Sequence, residues 1–502
     1  MRARAYHPAV THQTWLETFR GIGRIICATP CGPHDNEGGK LKTNSSSAPV
    51  RHRRWVSKGA ATIGTALIGT SLLAGSAIAS TSPGAQHASA HATRKASGPT
   101  AHITVWFVTT PGPVNNYMTS LAKKFDAQHP GDQVTVDFVA NTPFKQKILL
   151  AMGAKRPPAL FFTWGGGVLQ QYIKAGDVVP LGPSNAPWTR PFLSSALGAV
   201  TFNHKVYGIP VQGTQPVFFY YNKSVFNKAH LSFPKTWPQL LADVATFKKD
   251  GVASPIELGN LSGWEGLMYL EYLTDRIGGP KVFDAIQAGK KNAWNNPAVI
   301  KALTDIQQLV KAGAFQTGYD SVDFGSETDA LLYSGKAAMT LMGDWQISSL
   351  LGEDASFVKS GQLGQAPFPS VPGGKGNPAD LAGNTSDYLA VASHISPAQK
   401  VVAEQFLKTM FTTPAFAKTE VASGQVPVIK GSVAALRKAN FHQYLVPIFN
   451  DVYRAPSFQY SWDQALGSAR ATPMLNNLEK VFELSETPKQ FVSTLDSSST
   501  GV

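Results

Sequence analysis

Beyond residue 31 the chain has no cysteine: Cys27 and Cys31 are the only two in 502 residues. Most of it therefore has neither a disulfide framework nor a cysteine-ligated zinc site. Charge is sparse, at 15% of residues, and no apolar run is long and clean enough for a multi-span membrane protein. With 45 glycines and 34 prolines, the chain has too few of either for a collagen-like or low-complexity sequence. What is there is 43% hydrophobic and long enough for two or three domains with a sizeable core.

The net charge of +13 invites a nucleic-acid reading, but its location argues against one. Residues 1–79 carry ten Lys and Arg against three acids; subtracting these from totals of 45 and 32 leaves 35 basic and 29 acidic residues, a net of +6. No basic stripe interleaved with aromatics remains, so no nucleic-acid partner is expected.

Residues 50–79 read as a signal peptide. Arg51-His-Arg-Arg-Trp-Val-Ser-Lys58 is a charged start, Gly59–Gly75 a short and mild apolar stretch, and Ala77-Ile78-Ala79 a small-residue exit. Gly64, Thr65, Gly69 and Thr70 break the apolar stretch, which favours cleavage after Ala79 over a permanent membrane helix. Arg53-Arg54 also fits twin-arginine export. A signal peptide starts near its chain terminus, so the expected start is near Val50 and residues 1–49 are a dubious extension. Leu73-Ala74-Gly75-Ser76 has the form of a lipoprotein box with Ser in place of the lipidated Cys, so no thioether anchor is expected. Residues 80–101, rich in Ser, Ala, His and Thr, read as a disordered linker.

From residue 102 onward, strand and helix patterns alternate. Ile103–Val108 is a β-rich run, and Met118, Leu121, Ala122 and Phe125 recur at helical spacing before Pro130. Val134, Val136 and Phe138 alternate as a strand, and Leu160-Phe-Phe162 is a short buried one. Thr236 with Gln239, and Ser396 with Gln399, predict two capped helix starts; Gly251 and Gly313 predict helix ends. Alternation of this kind predicts an α/β fold with mainly parallel sheets.

Seven motifs then fall in a recognisable order: Ile-Thr-Val-Trp (103–106), Lys-Phe-Asp-Ala-Gln-His-Pro (124–130), Pro-Pro-Ala-Leu-Phe-Phe-Thr-Trp-Gly-Gly (157–166), Tyr-Gly-Ile-Pro (207–210), Phe-Tyr-Tyr-Asn-Lys-Ser-Val-Phe (219–226), Phe-Pro-Lys-Thr-Trp-Pro-Gln-Leu-Leu (233–241) and Gly-Lys-Ala-Ala-Met-Thr-Leu-Met-Gly-Asp-Trp (335–345). Together they resemble the family 1 extracellular solute-binding proteins, the sugar-capturing components of bacterial ABC importers. The resemblance covers 102–495. It implies the periplasmic-binding-protein-like fold of two α/β lobes crossed three times by the chain, mapped here near Gly213–Pro216, Gly383–Asp387 and Gly424–Pro427. Lobe one would be 102–214 with 388–424, lobe two 215–387 with 425–495, and 496–502 a tail. It also implies an exported monomer that hands its ligand to a membrane permease.

Recognising a sugar takes an aromatic platform for its C–H face and planar polar groups for its hydroxyls. Trp345 matches the family's platform position, and Asp344 beside it accepts hydroxyl hydrogen bonds or caps the following helix. Trp462 matches a C-terminal aromatic that faces the cleft in relatives. Trp264 and Glu265 follow the turn-rich loop Asn260-Leu-Ser-Gly263; the bland reading of Glu265 is compensation of the helix dipole. Trp164 and Gly165 sit at a strand-to-helix turn, where bare backbone amides face a ligand or the glycine only serves a tight turn. Asn384, with Thr385, lies at the second crossing. Trp106, Trp188, Trp237 and Trp294 read as packing residues; of Tyr220 and Tyr221, one must face inward.

A secreted glycoside hydrolase is the rival from another class, needing two converging carboxylates; Asp344, Glu265, Glu327 and Asp387 are available. There is no Gly-x-Ser-x-Gly elbow, no His-Glu-x-x-His and no cysteine nucleophile after residue 31. No catalytic residue, metal or cofactor is therefore expected. A binder of a polyamine or peptide is the alternative within the binding class, and a polyamine would favour several carboxylates around an aromatic box.

Overall fold

The structure is a computed structural model and describes residues 100–110 and 112–498; the expected leader and most of the linker lie outside them. In chain order, the strands of the two large sheets are β1 (His102–Val108), β2 (Gln133–Val139), β3 (Leu160–Thr163), β4 (Ile209–Pro210), β5 (Gln215–Asn222), β6 (Ser254–Glu257), β7 (Ala337–Gly343), β8 (Leu363–Ala366), β9 (Leu381–Asn384), β10 (Tyr388–Val391) and β11 (Phe458–Tyr460). One sheet has the order β2-β1-β3-β10-β4; the other runs β11-β9-β5-β7-β6, with β8 also paired to β5. Each sheet has its own core, one built around Phe107, Phe161 and Leu389 and the other around Phe219, Met339 and Leu341. The fold is thus two α/β lobes.

Local chemistry sets the helices. In α1 (Pro113–Gln128), Pro occupies the first turn, and Val114, Tyr117, Met118, Leu121, Ala122 and Phe125 bury one stripe against the first sheet's core. A Val, Leu, Met or Phe side chain contributes roughly 1.5–3 kcal/mol on full burial. Both predicted capping boxes form, at Thr236 with Gln239 and at Ser396 with Gln399. Four helices bear directly on the space between the lobes: α2 (Asn141–Gly153) and α3 (Gly166–Lys174) on one side, α4 (Trp264–Gly278) and α5 (Trp345–Glu353) on the other.

The expectation of mainly parallel sheets needs correction. Parallel pairs join β1 to β2 and β3, β6 to β7, and β9 to β11. Antiparallel pairs join β10 to β3 and β4, and β5 to β7, β8 and β9. The reason is the crossing of the chain between lobes. Tyr388, the first residue of β10, lies opposite Thr163, the last of β3; Val217, near the start of β5, lies opposite Gly343, the last of β7. A strand arriving from the other lobe enters at the carboxyl ends of the βαβ strands and must run against them.

Two crossings are direct, from β4 to β5 and from β9 to β10. The third segment is more entangled. Val426 bridges Thr214 and packs with the second core, Val428 and Ile429 return to the first core, and Leu436 belongs to the second again. No helix among the described residues is long and apolar enough to cross a membrane.

Candidate functional site

Because the carboxyl ends of β1, β3 and β7 point towards the crossings, the residues just after them meet in one cleft, the place where open α/β sheets hold ligands. Thr109 and Thr110 follow β1, Trp164 follows β3, and Trp345 follows β7; all four line the cleft. The facing walls leave about 760 Å³ of empty space, part of it open to solvent.

Lobe two supplies a bank of rings. Trp264 opens α4 and lies 6.0 Å from Trp345, with the rings tilted by 50°. Phe324 meets the same Trp264 edge-on at 6.0 Å. Trp345 folds back over Gly343, so closely that a Cβ there would lie 1.9 Å from the indole. That contact explains why glycine precedes the Asp344-Trp345 pair. From lobe one, Trp164 packs edge-on against Phe162 at 5.0 Å, and the Lys145 ammonium sits 5.2 Å from its ring centre.

Polar groups fill the rim. Asn141, Gln212, Gln215, Asn384, Asp387 and Gln464 all line the cleft. Several have a buried atom with no hydrogen-bond partner within the protein: Asn141 Oδ1, Asn384 Oδ1 and Gln464 Oε1, all acceptors; Asp387 Oδ1, which donates when the carboxyl is protonated and accepts when it is ionised; and the Trp264 indole N–H, a donor. Such groups cost about 1–3 kcal/mol each unless something pairs with them. Burial pushes the Asp387 carboxyl up to about 8, against the pull of the Gln215 side-chain amide that donates to it at 2.6 Å. At neutral pH it is mostly uncharged. Asp463 is paired with Lys145 at 3.6 Å.

The same amides knit the crossings together. Gln215 Nε2 and Gln425 Nε2 both donate to Gln212 Oε1 at 3.1 Å, and Gln215 also reaches Asp387. One network thus holds all three hinge segments.

The sequence-derived candidates divide. Trp164, Trp264, Trp345 and Asn384 come together in the cleft. Trp462 does not: it is fully buried, stacked on Phe283 at 4.5 Å, edge-on to Trp294, with its N–H donated to Gln459 Oε1. It opens a short helix, α6 (Trp462–Leu466), whose next residues Asp463 and Gln464 turn to the cleft while the indole turns inward. Gly165 is corrected as well. Its amide is already donated to Thr163 Oγ1 at 3.1 Å, and its φ of 81°, with Ala199 O only 2.8 Å from where a Cβ would lie, is the demand of a tight turn.

The two acids stand behind the wall. Glu265 is fully buried and its Oε1 accepts from Phe324 N at 2.9 Å, so it fixes the segment that carries the Phe324 ring. Burial, then the nearby Asp323, push its carboxyl well up. Asp344 is buried beneath Trp345 without a side-chain capping bond; burial, then Asp387, raise its carboxyl. Trp237 and Trp294 are core residues, Trp106 and Trp188 pack partly buried against the first core, and Tyr220 is the inward-facing member of its pair. Sequence reading missed Lys145, Gln212, Gln215 and Gln464 as cleft residues. Only their nearness to a strand end or a crossing could have marked them.

The sequence profile of the bacterial extracellular solute-binding proteins matches residues 111–415. The chain belongs to that family. Its members are binding proteins, not enzymes, which removes the hydrolase reading. An uncharacterized ABC transporter extracellular-binding protein of Pyrococcus horikoshii is 29% identical over 245 residues, covering 47% of this chain. The match spans 54% of that relative's length. The sn-glycerol-3-phosphate-binding periplasmic protein of Rhizobium meliloti is 26% identical, over 67% of this chain and 78% of its own. Among solved structures, a chitin oligosaccharide binding protein superposes with a TM-score of 0.71 at 26% identity, over 80% of this chain and 99% of that one. A structure from work on xylan utilization by Caldanaerobius polysaccharolyticus gives 0.72 at 27% identity, over 79% and 99%.

Proposed function

We propose that this chain is an exported, monomeric carrier that captures a mono- or oligosaccharide between its lobes and delivers it unaltered to the membrane permease of an ABC importer. The observation that supports this most is the pairing of Trp264, Trp345 and Trp164 with orphaned acceptors on Asn141, Asn384 and Gln464. Sugar hydroxyls donate to such acceptors, and the C–H faces of the ring lie on the indoles. Ligand contacts made across both lobes favour the closed pair, which the permease then reads. The similarity to a chitin oligosaccharide binding protein supports the same chemistry.

A polyamine would also be donor-rich, but the cleft lacks the charge to hold it. Among the described residues that line the cleft, Asp387 and Asp463 alone carry a carboxyl, and Asp463 already faces Lys145. The test is a melting-temperature screen of the purified protein against neutral sugars, acidic sugars and spermidine. A ligand at 100 times its dissociation constant adds about 2.7 kcal/mol of stability. A shift with a sugar that is recovered intact supports the proposal; a shift with spermidine alone refutes it.

A further inference from the structure

The lobes touch each other at a place that the ligand-facing walls do not explain. Thr142, in the first turn of α2 in lobe one, has its hydroxyl 2.5 Å from Ser262 Oγ of lobe two and donates to the Asp323 carboxylate. Ser262 Oγ in turn donates to the other Asp323 oxygen at 3.0 Å. None of these three residues lines the cleft. One turn along α2, Lys145 reaches across to Asp463.

The Asp323 segment is not a free loop. Leu261 N donates to Val322 O at 2.9 Å and Asn260 N to Tyr319 O at 2.7 Å. Glu265 accepts from Phe324 N. Gly259 backs the segment so closely that a Cβ there would lie 2.6 Å from the Asp323 carbonyl carbon. Asp323 is therefore carried by the same short, pinned stretch as Phe324, whose ring packs on Trp264 in the aromatic wall.

From this geometry we infer that Thr142, Ser262 and Asp323 form a closing latch: a cross-lobe interlock that adds to the free energy of closure whatever sugar is bound. This rests on the proposed role of the cleft. The latch residues are positioning residues, acting on affinity through the lobe equilibrium rather than through ligand contacts. A hydrogen bond to a charged group is among the stronger ones in a protein, and one made only in the closed state acts chiefly on the rate of release.

The test is Thr142→Val, which keeps the shape and removes the hydroxyl, with Asp323→Asn as the partner variant on lobe two. Affinity and release rate are measured by calorimetry and stopped flow for two sugars of different size. The expected result is about a tenfold loss of affinity for both sugars, carried by faster release, with their affinity ratio unchanged and the double variant little worse than either single one. Unchanged affinity overturns the latch. So does a loss confined to one sugar, which would make Thr142 a ligand contact. A second readout needs no sugar at all: the distance distribution between dyes on Val401 of lobe one and Leu484 of lobe two, both exposed. If no sugar binds the parent protein, this readout decides alone. A shift towards the open form in Thr142→Val supports the latch even though the proposed function has failed, and identical distributions overturn it.

Discussion

Lobe two holds two pairs of tryptophans at nearly the same spacing, and only one pair faces the cleft. Trp264 and Trp345 stand 6.0 Å apart between centroids; Trp294 and Trp462 stand 5.9 Å apart. The difference lies in what surrounds the rings. Trp462 is stacked on Phe283 and gives its N–H to Gln459, so the fold satisfies it on every side. Trp264 meets Phe324 edge-on and Trp345 at a tilt, lines the cleft, and has an N–H with no partner within the protein. An orphaned indole N–H is not sufficient by itself, since Trp237 has one too while stacked on Phe368 in the core. What marks a cleft-facing tryptophan is an unmet N–H or bare face together with a position beyond a strand's carboxyl end.

The hardest test of this contrast is Trp462→Ala. Removing a fully buried indole costs about 3–5 kcal/mol, so denaturation should show a large loss of stability, with sugar affinity preserved in whatever protein remains folded. Nearly intact stability with lost binding would break the contrast outright. Trp345→Ala should do the reverse, weakening binding tenfold or more, about 1.4 kcal/mol, with the melting temperature of the sugar-free protein nearly unchanged. Calorimetry and a thermal melt on the same sample check both halves.

Much of this was legible in advance, because strand ends and aromatic loops are local features. Trp164 follows a buried strand and Trp264 a turn-rich loop, readings that needed only the immediate neighbours, whereas Trp345 was marked by its match to the family's platform position. Trp462 misled because its match to a C-terminal aromatic of relatives carried no orientation, and successive residues on a helix point about 100° apart. Spacing along the chain does not say which of Trp462, Asp463 and Gln464 turns to the cleft. The glutamine network was invisible for a different reason: Gln212, Gln215 and Gln425 look like ordinary linker residues until three distant segments converge. The strand directions were misread because a periodic pattern carries no sign, and only the route of the chain between lobes supplies it.

A smaller effect, a change of slope rather than of level, sharpens the account of the interior pair. Glu271 Oε1 accepts from Trp462 N at 2.7 Å and from Ser461 Oγ at 2.9 Å, which fixes the turn that sends the indole inward and Asp463 outward. Burial pushes this carboxyl up to about 8 despite those two bonds, and the buried Glu257 and Asp387 are raised to about 8 as well. An unfolded glutamate titrates near 4.3, so between about pH 4 and 8 the folded chain holds protons that the unfolded chain has released. Stability is then fully present below about pH 4 as far as these groups are concerned, and falls as pH rises towards 8. Glu271→Gln keeps an acceptor for Trp462 N but cannot titrate. Between pH 5 and 8 its unfolding free energy should fall less steeply than the parent's, by at most about 1.36 kcal/mol per pH unit, while Glu257 and Asp387 keep part of the slope. Chemical denaturation at a series of pH values measures this. Parallel curves for parent and variant would mean that Glu271 is charged beneath the tryptophan, and the inward indole would then need another anchor than a neutral acid.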